Sequence, residues 1–203
     1  CIVIAAPIFY LVGFIIGIVY NKFSNKNKSI NSMLIVPLLF ILFQPFSINT
    51  PDVEIVSTDR TYNHEVSIDM LDHNPDFSYD LPLFFRMGFP KPLASDGCGI
   101  EVGDRREIQF FSSTKGLGTL VLEIREVGEK ALVFDIVSDN THMGSWLTWK
   151  QVNVEIHQNQ NNFEVTWTSY YTCDLGPQWY FNPIQERAVE IMHDHLMKSY
   201  FGR

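Results

Sequence analysis

The clearest alternation of apolar and polar positions runs from Thr148 to Thr172. In TWKQVNVEIHQ, Val152, Val154 and Ile156 fall on one face and Asn153, Glu155 and His157 on the other. In NFEVTWTSYYT, Phe163, Val165 and Trp167 oppose Glu164, Thr166 and Thr168. Period two over such lengths predicts two half-buried strands, and the polar QNQNN between them predicts a hairpin turn. Upstream, TLVLEIREV turns Leu120, Leu122 and Ile124 inward. RREIQFFSS and ALVFDIVSD read as further strands, set off by turns at KGLG and at Gly128-Glu129-Lys130. YNHEVSIDM reads as the first strand, residues 51–61 as a linker, and 71–92 as Pro-rich chain with short helical turns only. After the break at Gly176-Pro177 the period becomes helical. Ile184, Ala188, Ile191, Met192, His195 and Leu196 share one face, with Asn182 as N-cap, Pro183 at the first helical position and Gln185 three residues after the cap. These elements predict an α+β domain in which an antiparallel sheet of about six strands packs on a helix from about Pro183 to Tyr200.

The first 50 residues follow no such pattern. CIVIAAPIFYLVGFIIGIVY carries no charge, INSMLIVPLLFILFQPFSI carries none either, and NKFSNKNKS between them is basic. Twenty apolar residues span roughly 30 Å as a helix. The expectation is a transmembrane helical hairpin over 1–50, with spans at about 1–20 and 30–47. Gly13 and Gly17 are spaced to seat a neighbouring helix. Lys22, Lys26 and Lys28 in the loop place it in the cytoplasm by the positive-inside rule, which makes the chain an integral membrane protein with an extracytoplasmic domain over 51–203. The chain begins at Cys1, not at Met, so its true start is expected upstream.

Charge narrows the partners. With a formal net charge of −8 overall and +3 in residues 1–50, residues 51–203 carry −11, which argues against a nucleic-acid partner. The mean hydropathy of zero averages an apolar end and an acidic domain. Cys1, Cys98 and Cys173 have no metal-ligand spacing; Cys98 and Cys173 either pair in an oxidising compartment or stay free. His193 and His195 stand at i and i+2 on the helix, about 200° apart, and cannot share a metal. His195, on the apolar face, reads as a core histidine with a hydrogen-bond partner. Arg105 and Arg106 read as a solvated strand end, the alternative being a hold on an anionic head group. The sequence contains no G-x-S-x-G, H-E-x-x-H, P-loop or dinucleotide fingerprint, so no catalytic residue, metal or cofactor is expected.

The residues resemble a known superfamily. FRMGFPKPL followed by GCGIEVGDRREIQF, then EIREVGEKALVFDI, then FEVTWTSYY and PQWYFNPIQERAVEIMHDHLMKSY, occur in the order of the SRPBCC superfamily, which includes START-like lipid-binding domains and polyketide cyclase-like proteins. The start CIVIAAPIFYLVG is similar to that of its membrane-anchored subset. The resemblance covers about Glu65 to Tyr200. It implies a helix-grip fold, a sheet wrapped on a long C-terminal helix with an apolar cavity between them. One departure is plain: SIDMLDHNPDFSYDLP offers neither the helix nor the Trp that follow the superfamily's first strand, so the lid side of the cavity is expected to be shortened. On this fold Phe110, Trp149, Trp167, Tyr171, Ala188, Met192 and His195 become pocket candidates. The function implied is non-catalytic binding of a hydrophobic small molecule or lipid by a membrane-tethered domain, with the bilayer as a further partner. The alternatives are a cyclase- or hydrolase-type enzyme using the same pocket, and a sensory or interaction module with a filled core.

Overall fold

In the computed structural model, residues 11, 13–15, 17, 18, 22, 52–159, 162–176 and 178–202 are described. The chain divides into two units, Cys1–Asn49 and Thr50–Arg203. The described residues of the first unit are helical.

In the second unit the alternating segments become one antiparallel sheet. Its strands are β1 (Val53–Tyr62), β2 (Lys91–Asp96), β3 (Arg105–Ser112), β4 (Gly116–Val127), β5 (Ala131–Asp139), β6 (Leu147–Asn159) and β7 (Asn162–Cys173). The order is β1-β7-β6-β5-β4-β3-β2, so β2 to β7 form a meander and β1 returns to the far side of β7. In the β6/β7 pair, Val154 stands opposite Trp167 and Ile156 opposite Val165, which puts the predicted apolar faces on one side. Register shifts interrupt β2 between Pro92 and Ala94, β5 at Val137 opposite Val121/Leu122, β4 between Ile124 and Glu126, and β6 between Trp149 and Gln151. Each such bulge bends its strand and raises the local twist, which lets the sheet curl toward the helix α2 (Gln178–Phe201). At 24 residues α2 is about 36 Å long. Between β1 and β2 the chain forms a 3-10 turn (Ile68–Asp72) and the four-residue helix α1 (Leu83–Arg86).

Three side chains hold the end of α2, where the last carbonyls have no partner within the helix. The Tyr62 hydroxyl donates to the Met197 carbonyl at 2.9 Å, His64 Nε2 to Phe201 O at 2.9 Å and the Tyr79 hydroxyl to Gly202 O at 2.8 Å. Above the sheet α2 is buried on two opposite sides. His193 faces β1 and β7, while His195 lies against Phe77 and Phe85 of the segment that crosses over the helix. Leu132, Val154, Val165 and Met197 are fully enclosed at the centre of the core.

The structure departs from the sequence reading at several points. The sheet has seven strands, not about six. The first strand is Val53–Tyr62, and the expected YNHEVSIDM becomes bend and 3-10 turn beyond Tyr62. β1 is an edge strand with only Val56 and Tyr62 buried, so its polar sequence resembles a linker. β2 holds Pro92, which an edge strand tolerates. α2 begins at Gln178, five residues before the expected start, and Pro183 lies inside it. Asn182 does not cap; its Nδ2 donates to Glu54 Oε1 at 2.6 Å, and Gln185 Nε2 donates to the Trp146 carbonyl at 2.9 Å. Cys98 and Cys173 are free thiols, the first exposed and the second buried.

The localisation as an integral membrane protein is corrected. No helix among the described residues is long and apolar enough to cross a membrane. A span needs roughly 20 continuous helical residues that satisfy their own backbone polar groups. Apolar composition, from which the hairpin was read, does not by itself provide such a helix. The segment 30–47 and most of 1–20 lie outside the described residues.

Candidate functional site

A void lies between the inner face of the sheet and α2. Its walls come from alternate, inward-facing positions of five strands: Ile108 and Phe110 on β3, Leu120 and Leu122 on β4, Phe134 on β5, Trp149 and Val152 on β6, Trp167 on β7. Met192 and Leu196 of α2 and Leu71 of the 3-10 turn close it. Three polar residues, Arg106, Ser169 and Tyr200, share a wall that is otherwise apolar. The volume is about 30 Å³, counted as room for the centres of water-sized molecules. On that measure one water needs about 10–15 Å³, so the void has room for about two waters.

Arg106 is the unusual member. It is 2% exposed and sits on the inward register of β3, two residues before Ile108 and opposite Leu122. Its Nη2 donates to the Gly99 carbonyl at 2.8 Å, and its Nε and Nη1 have no hydrogen-bond partner. The Gly99 loop is shaped for this contact. Gly99 adopts φ +99°, where a Cβ would run into the Asp104 carboxylate, and its N–H donates to the Asp72 carboxylate. Trp149 Nε1, on the same wall, is also without a partner. Burial pushes the Tyr200 phenol above its ordinary pKa, with the Arg106 guanidinium pulling it back. The neighbouring Arg105 does behave as a strand end, exposed, with Nε donating to Glu123 Oε2 at 2.7 Å. The expectation of a solvated pair therefore fails at Arg106, because period two sends adjacent side chains to opposite faces.

Ser169, on β7, connects the void to a second polar group. Its Oγ lies 2.8 Å from His193 Nε2, and His193 Nδ1 lies 3.1 Å from Thr58 Oγ1 on β1. His193 is fully buried, and desolvation lowers its pKa to about 3. A neutral imidazole between two hydroxyls results. A serine beside a histidine has the outline of a nucleophile and base. A base held neutral to so low a pH takes a proton poorly, and the third group here is a hydroxyl, not a carboxylate. Among the described residues no group of three His, Cys, Asp or Glu side chains could hold a metal ion.

Of the residues singled out from the sequence, Phe110, Trp149, Trp167 and Met192 lie on the wall of the void. Tyr171 is buried and meets Trp149 edge-on, but does not line it. Ala188 is half-buried and off the wall. His195 is buried away from the void; its Nε2 has no partner, contrary to the expected hydrogen bond, and its pKa is lowered by burial and then by Lys198. Arg106, Ser169 and the contact of His193 escaped the sequence reading. For Arg106 a signal existed, since it alternates with Ile108 and Phe110. Ser169 likewise shares the inward parity of Val165 and Trp167; what the sequence does not show is that it and Thr58 meet one partner, His193 on the helix.

No protein-family model matches the chain, and no curated protein sequence does. Solved structures show a partial likeness. It is similar to ginseng major latex-like protein 151 from Panax ginseng, with 13% identity and a TM-score of 0.41 over 71% of this chain and 98% of that one. It is similar to TTHA0849 from Thermus thermophilus, with 10% identity and a TM-score of 0.46 over 73% and 98%. It is also similar to truncated norcoclaurine synthase from Thalictrum flavum, with 11% identity and a TM-score of 0.43 over 75% and 96%. At such values the likeness transfers no function, and the functional reading rests on the site itself.

Proposed function

We propose that residues 51–203 form a binding domain for a hydrophobic small molecule, housed between sheet and helix, and that the domain does no chemistry on it. The supporting observation is the wall of the void: eleven apolar side chains, four of them aromatic, with three polar groups converging among them. That is the composition of a ligand site, in which buried area supplies affinity and a few polar atoms fix orientation. The void of about 30 Å³ is smaller than a ligand. Binding therefore proceeds by displacement of Met192, Leu196 and Leu71, the three closing side chains contributed by helix and turn. Met192 is unbranched and adapts readily to a new neighbour. The element order that resembles the SRPBCC superfamily agrees with this reading.

Hydrolysis in the same void is a second reading, favoured by the Ser169–His193 contact of 2.8 Å. The low basicity of His193 and the missing carboxylate weigh against it.

Trp149 and Trp167 both line the void, so their fluorescence reports occupancy directly. Titration of the full chain with fatty acids, sterols and aromatic compounds should give a saturable change. Leu122→Phe, which fills the void from β4, should weaken it at least tenfold without unfolding the domain. Absence of any saturable change across the panel rejects the binding reading. Turnover of an ester substrate that disappears in Ser169→Ala rejects the claim of no chemistry.

A further inference from the structure

We propose that the ligand is a compact hydrophobic acid, held through its carboxylate at Arg106 with its hydrocarbon part against Ile108, Phe110 and Trp149. This deepens the binding reading above and rests on it.

The unpartnered polar atoms on the wall of the void are of one kind. They are Arg106 Nε and Nη1 and Trp149 Nε1, all N–H donors. Ser169 is engaged with His193. Tyr200, the third polar side chain of the wall, meets the guanidinium through a neutral hydroxyl, which leaves its charge unbalanced, so the void calls for an acceptor that carries charge. Buried donors without acceptors are strongly unfavourable, and unpaired buried charge more so.

Charge sets the kind of acceptor. An arginine guanidinium is a fixed positive charge. No carboxylate lies within ion-pair distance of Arg106 among the described residues. A leucine or methionine at this position would fill the wall with no such cost. No other Lys or Arg lines the void, and His193 behind Ser169 stays neutral. One positive charge is balanced by one negative charge, so a monoanion fits. A phosphate dianion would leave charge of the opposite sign buried. The remaining wall is apolar and aromatic, which suits a hydrocarbon tail or ring.

The anchor is also held in position. Nη2 is tied to the Gly99 carbonyl, and the Gly99 N–H is tied to Asp72 beside Leu71, one of the closing side chains. The ligand therefore does not have to order the guanidinium, which lowers the entropic cost of binding. The same link gives an approaching carboxylate a path of influence on the turn that closes the void.

The test uses matched pairs at neutral pH: decanoate with its methyl ester, and naphthoate with its methyl ester. Binding to the full chain is read by tryptophan fluorescence and calorimetry. A charge-assisted hydrogen bond to a buried guanidinium should favour at least one acid over its ester by about tenfold to a hundredfold. The pair that shows the preference tells an aliphatic acid from an aromatic one. In Arg106→Met the preference should vanish while the ester still binds. If that variant fails to fold, the wild-type ratio of acid to ester decides alone. Equal binding of acid and ester overturns the carboxylate assignment and leaves the hydrophobic reading standing. An acid preference that persists in folded Arg106→Met overturns it as well. Failure of all four compounds to bind removes both readings together.

Discussion

Replacing His193 by Gln should flatten the acid limb of the stability curve. The side chain is fully buried, between the Thr58 hydroxyl at 3.1 Å and the Ser169 hydroxyl at 2.8 Å, beside the ring of Trp167. No carboxylate accepts from it; the neighbouring Asp194 is paired with Arg60 and Lys198. Desolvation lowers the folded-state pKa to about 3 from an unfolded value of 6.5. The sign follows from linkage. Between these values the unfolded chain binds a proton that the folded one excludes, so stability is complete above the unfolded pKa and declines as pH falls below it. Each pH unit in that window costs about 1.4 kcal/mol. From about pH 7.5 to about pH 4.5 the loss assigned to this one group is roughly 3 kcal/mol. Gln has no such titration and can keep a hydrogen bond to one of the two hydroxyls. Urea unfolding of both proteins at the two pH values is the assay. Wild type should lose about 3 kcal/mol more than His193→Gln over that interval, and the variant should start out less stable by about 1 kcal/mol for the lost hydrogen bond. Parallel pH profiles would refute the reasoning, since they would mean that His193 takes up its proton in the folded state without penalty.

Two further substitutions probe the frame of the site. Leu132→Ala empties a fully enclosed position of β5 and should cost about 2–5 kcal/mol in the same urea assay. Gly99→Ala forces a side chain into φ +99° against Asp104 and should cost more than about 1 kcal/mol; because Gly99 O holds Arg106, the preference for acid over ester should fall with it.

The strands β3 to β7 and the existence of the closing helix were legible in the sequence for a local reason. Leu120, Leu122, Ile124, Val152, Val154 and Ile156 alternate with polar neighbours because one face of the sheet is buried, and that periodicity survives in the chain without knowledge of what covers it. Three of the seven pocket candidates, Phe110, Trp149 and Trp167, lie on the wall of the void by the same logic, and Met192 does so by the helical period of α2. Hydropathy over the first 50 residues recorded apolarity and nothing of helix length, so the expected membrane spans found no support among the described residues.

What tertiary structure decided were the long-range relations. β1 pairs with β7 from Val53↔Thr172 to Tyr62↔Phe163, a long-range register that its own sequence does not state. The first turns of α2 are tied to the sheet and to the loop before β6, through Asn182 on Glu54 and Gln185 on the Trp146 carbonyl. His193 is neutral because the fold buries it completely, with Thr58 of β1 and Ser169 of β7 against its ring. Arg106 became the charged group of the cavity through the register of β3 against β4, which turned it inward, and through a glycine loop that holds one of its nitrogens and leaves the others open. A sequence states which residues prefer burial; whether a buried charge finds a partner depends on what the fold brings beside it.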